Sequence, residues 1–300
     1  MPYRIVQSKQ NARLKELRRA LAHPSENRGL AGIEGPNLLE EALRAELRVD
    51  CVFAARGEER LLEGLPLPAG VEVLLMPREL LVQALATESP QPIAALVEPP
   101  DWTWADLLDF DGKAAPLLVV LAGLQDPGNL GTILRSAEAF GAHGVIALPG
   151  TVSGWNPKVV RASAGSVFRV PLLVVSADEC FIRLREAGVR VWTTALRGAA
   201  QSDAVDLGLP VALLIGNEGS GVPEELAAQA HGAITIPCPG PVESLNAAVA
   251  ASVLLYEASR QRAGQRSIAS NSSGKDKNAA REGHPGSRAG HTDPFREGLR

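Results

Sequence analysis

Three segments of the sequence combine glycine with amide, hydroxyl and carboxylate side chains, and each follows an apolar run typical of a strand. They are residues 124–132, 215–223 and 236–246. Glycine lets a backbone approach a ligand closely, and the polar side chains beside it can orient that ligand. Ligands of open α/β sheets bind beyond the carboxyl ends of the strands. We therefore predict that the three segments form one composite pocket.

Several common kinds of site are disfavoured by residue spacing. Gly123, Gly128 and Gly131 do not form a G-x-G-x-x-G pattern, and no G-K-[ST] follows them, which argues against dinucleotide and P-loop sites. The three cysteines lie far apart, never as C-x-x-C, and the five histidines lack the H-E-x-x-H spacing. We expect neither a disulfide framework nor a bound metal.

The elements that must position the three segments alternate between strand and helix patterns from residue 117 onward. Apolar runs at 117–121, 145–148, 170–175, 189–195, 211–215 and 233–236 predict strands, and helical patterns span 132–140, 178–187, 223–230 and 244–262. Such alternation with short loops predicts a mostly parallel sheet covered by helices on both faces.

The chain divides into four parts by pattern and composition. Residues 1–97 form a small α/β unit, 98–114 a linker rich in proline and acidic residues, 115–262 the larger α/β unit, and 263–300 a predicted disordered tail. No run of about 18 apolar residues is present, and the N-terminus lacks the apolar stretch of a signal peptide. We expect a cytoplasmic protein that does not span a membrane.

Charge is distributed unevenly along a chain whose net charge is −4. Residues 1–20 hold six basic side chains against Glu16 alone, and Lys158, Arg161 and Arg169 form a second basic stretch without acidic residues. Basic stretches of this kind can contact a nucleic acid, but they are as often simply the solvated face of a helix.

The three segments resemble the motifs of the SpoU/TrmH family of RNA ribose methyltransferases, within the knotted SPOUT superfamily. The resemblance rests on Asn129, Gly131 and Arg135 (N-x-G-x-x-x-R), on Gly216, Glu218 and Gly221 (G-x-E-x-x-G), and on Ile236, Pro237, Ser244, Leu245 and Asn246. All three occur in the family's order and spacing across residues 115–262. More loosely, residues 1–97, with Arg13 and Ile33-Glu34-Gly35, resemble the RNA-binding α/β domain that often precedes this catalytic domain.

The resemblance implies an α/β fold with a C-terminal trefoil knot, a homodimer, and S-adenosyl-L-methionine as methyl donor to ribosomal or transfer RNA. The cofactor would lie bent in the knot, with its adenine held by backbone groups. By position, these groups belong to Gly216, Ile236 and Leu245, with Thr194 at the neighbouring strand end.

The resemblance also implies that Arg135 comes from the partner subunit and contacts the target nucleotide, with general base as its proposed role in the family. A guanidinium is effectively never deprotonated in proteins. We therefore expect Arg135 to anchor phosphate and to stabilise the developing alkoxide. Asn129, Glu218, Ser244 and Asn246 would position the ribose and the cofactor, and the proton acceptor is left unassigned.

Each motif residue also has a purely structural interpretation. Arg135 can be a surface ion-pair partner, Asn129 or Ser244 can cap a helix, and Glu218 can tie its own loop. The helix after Asn246 is apolar nearly all round, which favours burial in the core or in a dimer interface.

Two other functions are consistent with the fold. A catalytically silent RNA-binding relative is disfavoured because every motif residue is present. A SPOUT enzyme that methylates a base is disfavoured because the Asn129–Arg135 and Ser244–Asn246 patterns are those of the ribose branch.

Overall fold

The computed structural model describes residues 3–23, 29–85, 87, 89–109, 115–195, 198–242 and 244–279, with side chains up to residue 265. Residues 1–261 form one compact unit and residues 262–300 a second. Among the described residues, no helix is long and apolar enough to cross a membrane.

The amino-terminal half contains a mixed five-stranded sheet. Its strands are β1 (Tyr3–Ile5), β2 (Ala31–Glu34), β3 (Val49–Ala55), β4 (Glu72–Met76) and β5 (Ile93–Val97), and its helices are α1 (Ala12–Ala22), α2 (Pro36–Arg44) and α3 (Arg78–Val82). The strand order is β1-β4-β3-β5-β2, with β5 antiparallel to both of its neighbours. The Asn11 side chain caps α1 by accepting from the Leu14 N–H, and Pro36 begins α2 as predicted.

The larger half is built on a seven-stranded sheet in which every pair is parallel. Its strands are β6 (Leu117–Ala122), β7 (Gly144–Ala147), β8 (Leu172–Val174), β9 (Arg190–Thr194), β10 (Ala200–Gln201), β11 (Val211–Gly216) and β12 (Gly232–Thr235). They lie in the order β10-β12-β9-β11-β6-β7-β8. This confirms the predicted mostly parallel sheet.

Six α-helices among the described residues accompany this sheet. They are α4 (Trp104–Leu108), α5 (Pro127–Ala139), α6 (Pro157–Ala162), α7 (Ala177–Glu186), α8 (Glu224–Ala227) and α9 (Ala247–Ala279). Helix α4 lies inside the predicted linker, where the indole N–H of Trp104 donates to Glu179 of α7 over 2.8 Å. The linker is therefore partly helical and is held against the larger half.

Helix α5 begins at Pro127, five residues before the predicted start at residue 132. Asp126 is its N-cap, with a side-chain oxygen that accepts from the Asn129 N–H over 2.8 Å. Proline suits the first helical turn because its missing N–H has no helical partner there. As a consequence, Asn129, Gly131 and Arg135 all lie on one helix.

Helix α9 continues to Ala279, so it includes residues 263–279 of the predicted disordered tail. The composition of this stretch resembles that of disordered segments, but no proline occurs in it to end the helix. The remainder of the predicted tail, residues 280–300, lies outside the described residues.

The two halves share an apolar core. Buried residues of the first half, among them Ile33 and Leu39, belong to the same cluster as Val160 and Val167 of the second half. Strand β2 and helix α6 make contact across this junction. The predicted boundary near residue 97 therefore separates two sheets but does not separate two independent cores.

Gly131 allows α5 and α6 to pack closely, since an added Cβ would lie 2.4 Å from the Ala162 Cβ and 2.8 Å from the Val159 carbonyl oxygen. We expect Gly131→Ala to lower the free energy of unfolding by about 1–3 kcal/mol, the usual cost of overpacking, measured by urea titration. Gly264→Ala is the control, because nothing lies within 4 Å of a Cβ there. Equal stability of Gly131→Ala and the natural protein would contradict this close packing.

Candidate functional site

A cavity of about 910 Å³ lies beyond the carboxyl ends of β9, β11 and β12. Because the strands are parallel, the segments that follow them emerge at the same edge of the sheet. Thr194, Gly216, Ile236 and Leu245, the four residues predicted to hold the cofactor, all line this cavity. The segments after β11 and β12 thus share one cavity, to which β9 contributes a third wall, whereas no residue of the first segment, 124–132, lines it.

The end of β11 requires glycine because the chain folds back on it. A Cβ at Gly216 would lie 2.2 Å from the Gly221 carbonyl carbon and 2.3 Å from the Val222 nitrogen. Asn217 and Gly221 close this loop with two backbone hydrogen bonds of 3.0 and 2.9 Å, and Gly221 has a φ of +69°. The glycines of this motif therefore serve the close approach of the strand end to its own loop.

A chain of hydrogen bonds joins the three sequence segments. One Glu218 carboxylate oxygen accepts from the Asp126 N–H over 3.1 Å and from the Asn129 side-chain amide over 2.9 Å. The other accepts from the Gln125 N–H over 3.3 Å. The side-chain carbonyl oxygen of Asn129 in turn accepts from the side-chain amide of Asn246 over 2.9 Å. Asn129 is thus held at both ends of its amide group.

The pKa of Glu218 lies below its ordinary value. Burial raises the pKa, but the hydrogen bonds donated by the Asn129 amide and by backbone N–H groups, including those of Asp126 and Gln125, outweigh it. Glu218 is therefore ionised near neutral pH and acts only as an acceptor. This fixes the Asn129 amide with its NH₂ group toward Glu218.

Several of the structural interpretations weighed for the motif residues are decided by these contacts. Asn129 is not the cap of α5, because Asp126 is. Ser244 does not cap α9, because the Asn246 side chain accepts from the N–H groups of Ala248 and Val249 over 2.9 and 3.2 Å. Ser244 instead lines the cavity. Glu218 does tie its own loop to the turn between β6 and α5, and it also orients the Asn129 side chain.

Arg135 lies on the exposed side of α5 and does not line the cavity of its own chain. Within the described part of the chain it makes no ion pair, which removes the interpretation of Arg135 as a surface ion-pair partner there. Helices α5 and α9 run side by side, since the Ser136 and Ser252 hydroxyls lie 2.7 Å apart. The structure does not bring Arg135 to Asn129 and Asn246.

Asn217 is a site residue that the motif comparison passed over. Its side-chain amide donates to the Gly123 carbonyl over 2.8 Å, and its side-chain oxygen accepts from the Gly219 and Ser220 N–H groups. The residue thereby fastens the β11 loop to the β6 loop. An Asn followed two residues later by glycine is a signal for such a side-chain turn, and it could have been noticed.

Arg13, counted with the basic N-terminal stretch, has its charge neutralised. Its guanidinium pairs with Glu16, Asp50 and Glu72 over 3.0, 2.8 and 3.3 Å, and its hydrogen bond with Glu16 raises its pKa. Other basic side chains are exposed and have no ion pair among the described residues: Lys9, Lys15, Arg18, Arg19, Lys158 and Arg161. These cations are the ones open to an anionic partner.

Glu34, from the loosely matched Ile33-Glu34-Gly35 segment, is buried. Its carboxylate accepts from the Thr87 hydroxyl and from the Gln91 N–H, both over 2.8 Å. The residue fastens the loop before β5 to β2. Its contacts are structural.

Two family models match the sequence. Residues 116–256 match the SpoU rRNA methylase family, and residues 33–103 match a model for RNA 2′-O ribose methyltransferase substrate binding. RlmP of Bacillus subtilis, a 23S rRNA (guanosine(2553)-2′-O)-methyltransferase, is 33% identical over 224 residues, which cover 75% of this chain and 86% of that protein.

Two solved structures have the same fold over most of their length. The SpoU methyltransferase AviRb from Streptomyces viridochromogenes, in complex with AdoMet, matches with a TM-score of 0.74 and 30% identity, covering 84% of this chain and 98% of AviRb. An AdoMet-bound rRNA methyltransferase from Sinorhizobium meliloti matches with a TM-score of 0.74 and 31% identity, covering 86% and 98%.

The lowered pKa of Glu218 predicts how its contribution to stability depends on pH. A carboxyl group with a depressed pKa stabilises the folded protein above its unfolded pKa, about 4.3 for Glu, and this stabilisation is lost as the pH falls through the folded pKa. We expect Glu218→Gln to lower the melting temperature near pH 7, with the difference shrinking as the pH falls below about 4. Thermal unfolding at a series of pH values measures this.

Glu63→Gln is the control for the pH series. The Glu63 side chain is exposed and makes no side-chain hydrogen bond or ion pair within the described ranges. A difference between Glu218→Gln and the natural protein that stays constant from pH 7 to pH 3 would contradict the assigned hydrogen bonds.

Proposed function

The chain belongs to the SpoU family, it is an S-adenosylmethionine-dependent RNA ribose 2′-O-methyltransferase, and we propose that its substrate is the large-subunit ribosomal RNA. The observation in the structure that supports the methyltransferase activity is the cavity at the strand ends, joined to Asn129 through Glu218 and Asn246. It combines a ligand pocket with a set of fixed polar groups beside it.

Ribosomal RNA is favoured as the substrate by the relatives. RlmP of B. subtilis is a 23S rRNA methyltransferase, and the S. meliloti protein is an rRNA methyltransferase. A relative from Mycolicibacterium vanbaalenii, 35% identical over 76% of this chain and 76% of its own, is described as a tRNA/rRNA methyltransferase, which makes transfer RNA the second candidate. We therefore also propose that the enzyme acts in the cytoplasm.

The residues around the cavity fit S-adenosylmethionine. The volume lies in the range of small-molecule pockets, roughly 300–1,000 Å³, and the walls combine apolar side chains with backbone groups at the strand ends. Gly216, Ile236 and Leu245 would hold the adenine through their backbone groups, with Thr194 beside them. When bound, the cofactor supplies an electrophilic methyl group.

The polar chain beside the cavity would align the ribose hydroxyl with that methyl group. Asn129, Glu218, Ser244 and Asn246 take this positioning role in our proposal. Because Glu218 and Asn246 already fix the Asn129 amide, the site needs little rearrangement when substrate binds, and such alignment contributes several kcal/mol in other enzymes. No residue is assigned as the proton acceptor.

A homodimer would complete the site. Val249, Val253 and Tyr256 of α9 are 47%, 36% and 54% exposed, and their i, i+4, i+7 spacing places them along one face. An exposed apolar stripe is typical of an interface. We propose that a second copy of the chain covers it. Arg135, on the adjoining exposed face of α5, would then reach the partner's cavity and anchor an RNA phosphate.

We also propose the trefoil knot for the carboxyl-terminal strands. After β12, which lies outside β9 in the sheet, the chain returns past the ends of β9 and β11 and places Asn246 against Asn129 near the end of β6. This return path supports a knot, which is otherwise close to absent from proteins.

The reaction is tested with purified protein, S-adenosylmethionine carrying a labelled methyl group, and unmodified transcripts of 23S ribosomal RNA or transfer RNA. We expect the label in a 2′-O-methylated nucleoside of the ribosomal RNA, identified by nucleoside mass spectrometry. Label in a base would identify a base methyltransferase. RNA binding without turnover would identify a silent relative, and label only in transfer RNA would overturn the substrate proposal.

Arg135 is tested with two substitutions. Arg135→Ala should abolish turnover while cofactor binding stays within about twofold of normal, since the side chain does not line its own cavity. Arg135→Lys keeps the charge but loses the planar fork that binds phosphate. The methylation rate of this variant should therefore stay low across the pH range. Single-turnover rates measure both variants. A steep rise in the rate of Arg135→Lys as the pH approaches the lysine pKa of about 10.4 would identify residue 135 as the base.

Delivery of Arg135 across the dimer is tested by mixing subunits. Ile236→Arg fills the cavity and should abolish cofactor binding. Co-expression of Arg135→Ala with Ile236→Arg should restore turnover, because one site of the mixed dimer then has an intact cavity and an intact partner arginine. Inactivity of the mixed dimer would place Arg135 in its own subunit's site.

A further inference from the structure

One guanidinium joins the two halves of the chain. Arg169 follows a short 3₁₀ turn, Ser166–Phe168, and its Nη1 donates to Glu41 of α2 over 2.8 Å. Its Nε and Nη2 donate to the two carboxylate oxygens of Glu138 on α5. Arg169 therefore binds Glu138 with both arms of a fork and Glu41 with the remaining nitrogen.

The backbone beside Arg169 is shaped for this contact. Gly165 has a φ of +88°, and a Cβ added there would lie 2.8 Å from the Cβ of Glu41. The hydrogen bond from Arg169 is the main reason that the pKa of Glu138 lies below its ordinary value, with burial opposing it. Glu138 is thus ionised at neutral pH, and both close packing and charge hold α2 against the larger half at this point.

The two carboxylates belong to the parts of the enzyme that must cooperate. Glu41 lies within residues 33–103, the range that matches the substrate-binding model. Glu138 lies on α5, the helix that carries Asn129 and Arg135. Because a 13-residue helix moves as a body, a displacement of its Glu138 end also displaces Asn129.

We propose that Arg169 is a positioning residue that sets the angle between the RNA-binding half and helix α5. RNA held by the first half then presents its ribose at the Asn129 end of α5. This rests on the proposed function of the site. All three side chains are between 25% and 34% exposed, and a forked arginine–carboxylate pair fixes the relative orientation of its two partners. The effect of the cluster is therefore on geometry.

The test uses Glu41→Gln, which removes one carboxylate and leaves the Arg169–Glu138 pair intact. Glu40→Gln is the matched control: Glu40 is the adjacent residue on α2, pairs with Arg44 on the surface over 2.7 Å, and changes the net charge equally. We expect Glu41→Gln to lower kcat/KM for RNA by about tenfold, since small misplacements far from the reacting atoms can cost up to roughly 100-fold. Cofactor affinity should stay within about twofold, and Glu40→Gln should behave as the natural enzyme.

Two further variants separate positioning from general damage. Arg169→Gln should lose at least as much as Glu41→Gln, and Arg169→Lys, which keeps the charge without the fork, should lie between Arg169→Gln and the natural enzyme. The double variant Glu41→Gln with Arg169→Gln should lose no more than Arg169→Gln alone. Equal kcat/KM for Glu41→Gln and Glu40→Gln, or a matching fall in cofactor affinity and melting temperature, would overturn the proposal.

A distance measurement tests the same proposal without RNA. Spin labels at Arg60→Cys and Arg185→Cys, both exposed positions, report the spacing of the two halves, in a Cys238→Ser background because Cys238 is the exposed cysteine within the described ranges. We expect a narrow distance distribution that broadens with Glu41→Gln and not with Glu40→Gln. Unchanged distributions would overturn the positioning role, whereas a broadened distribution would refute the proposed function alone if the chain with its natural Cys238, which lines the cavity, methylates no RNA.

Discussion

The Glu218 carboxylate is the acceptor on which the arrangement of the site depends. It accepts hydrogen bonds from backbone N–H groups of the β6–α5 turn and from the side-chain amide of Asn129, which is 89 residues away in the chain. Asn129 then holds Asn246, 117 residues further on. Three loops that could otherwise move independently are therefore joined at one point beside the cavity.

Shared contacts also join the two halves of the chain. The apolar core continues from the first sheet into the second, and Arg169 adds charged contacts from α2 to α5. An RNA-binding half on a free tether would have to find its orientation in each catalytic cycle. A half that packs on helix α5 has its orientation fixed in advance, which reduces the entropic cost of aligning the substrate.

The basic residues of this acidic protein differ mainly in whether a carboxylate already pairs with their charge. Arg13 and Arg169 are taken up by carboxylates, whereas Lys15 and Arg18 on α1 are exposed. The affinity of exposed cations for a polyanion such as RNA comes largely from release of counterions, so it falls as the salt concentration rises. The paired arginines keep the structure in place and contribute little to that effect.

The family resemblance indicated the residues expected at the cavity, and the sequence by itself determined the parallel sheet and the three segments at its edge. These follow from local patterns, because apolar runs mark buried strands and glycine marks close backbone contacts. The tertiary structure decided which polar groups meet. Asp126 rather than Asn129 caps α5, and Arg13 pairs with carboxylates. Glu41 contacts Arg169, which lies 128 residues away in the chain. It also carried α9 past its predicted end to Ala279. Such partners depend on how distant elements pack, and residue spacing along the chain carries no information about that packing.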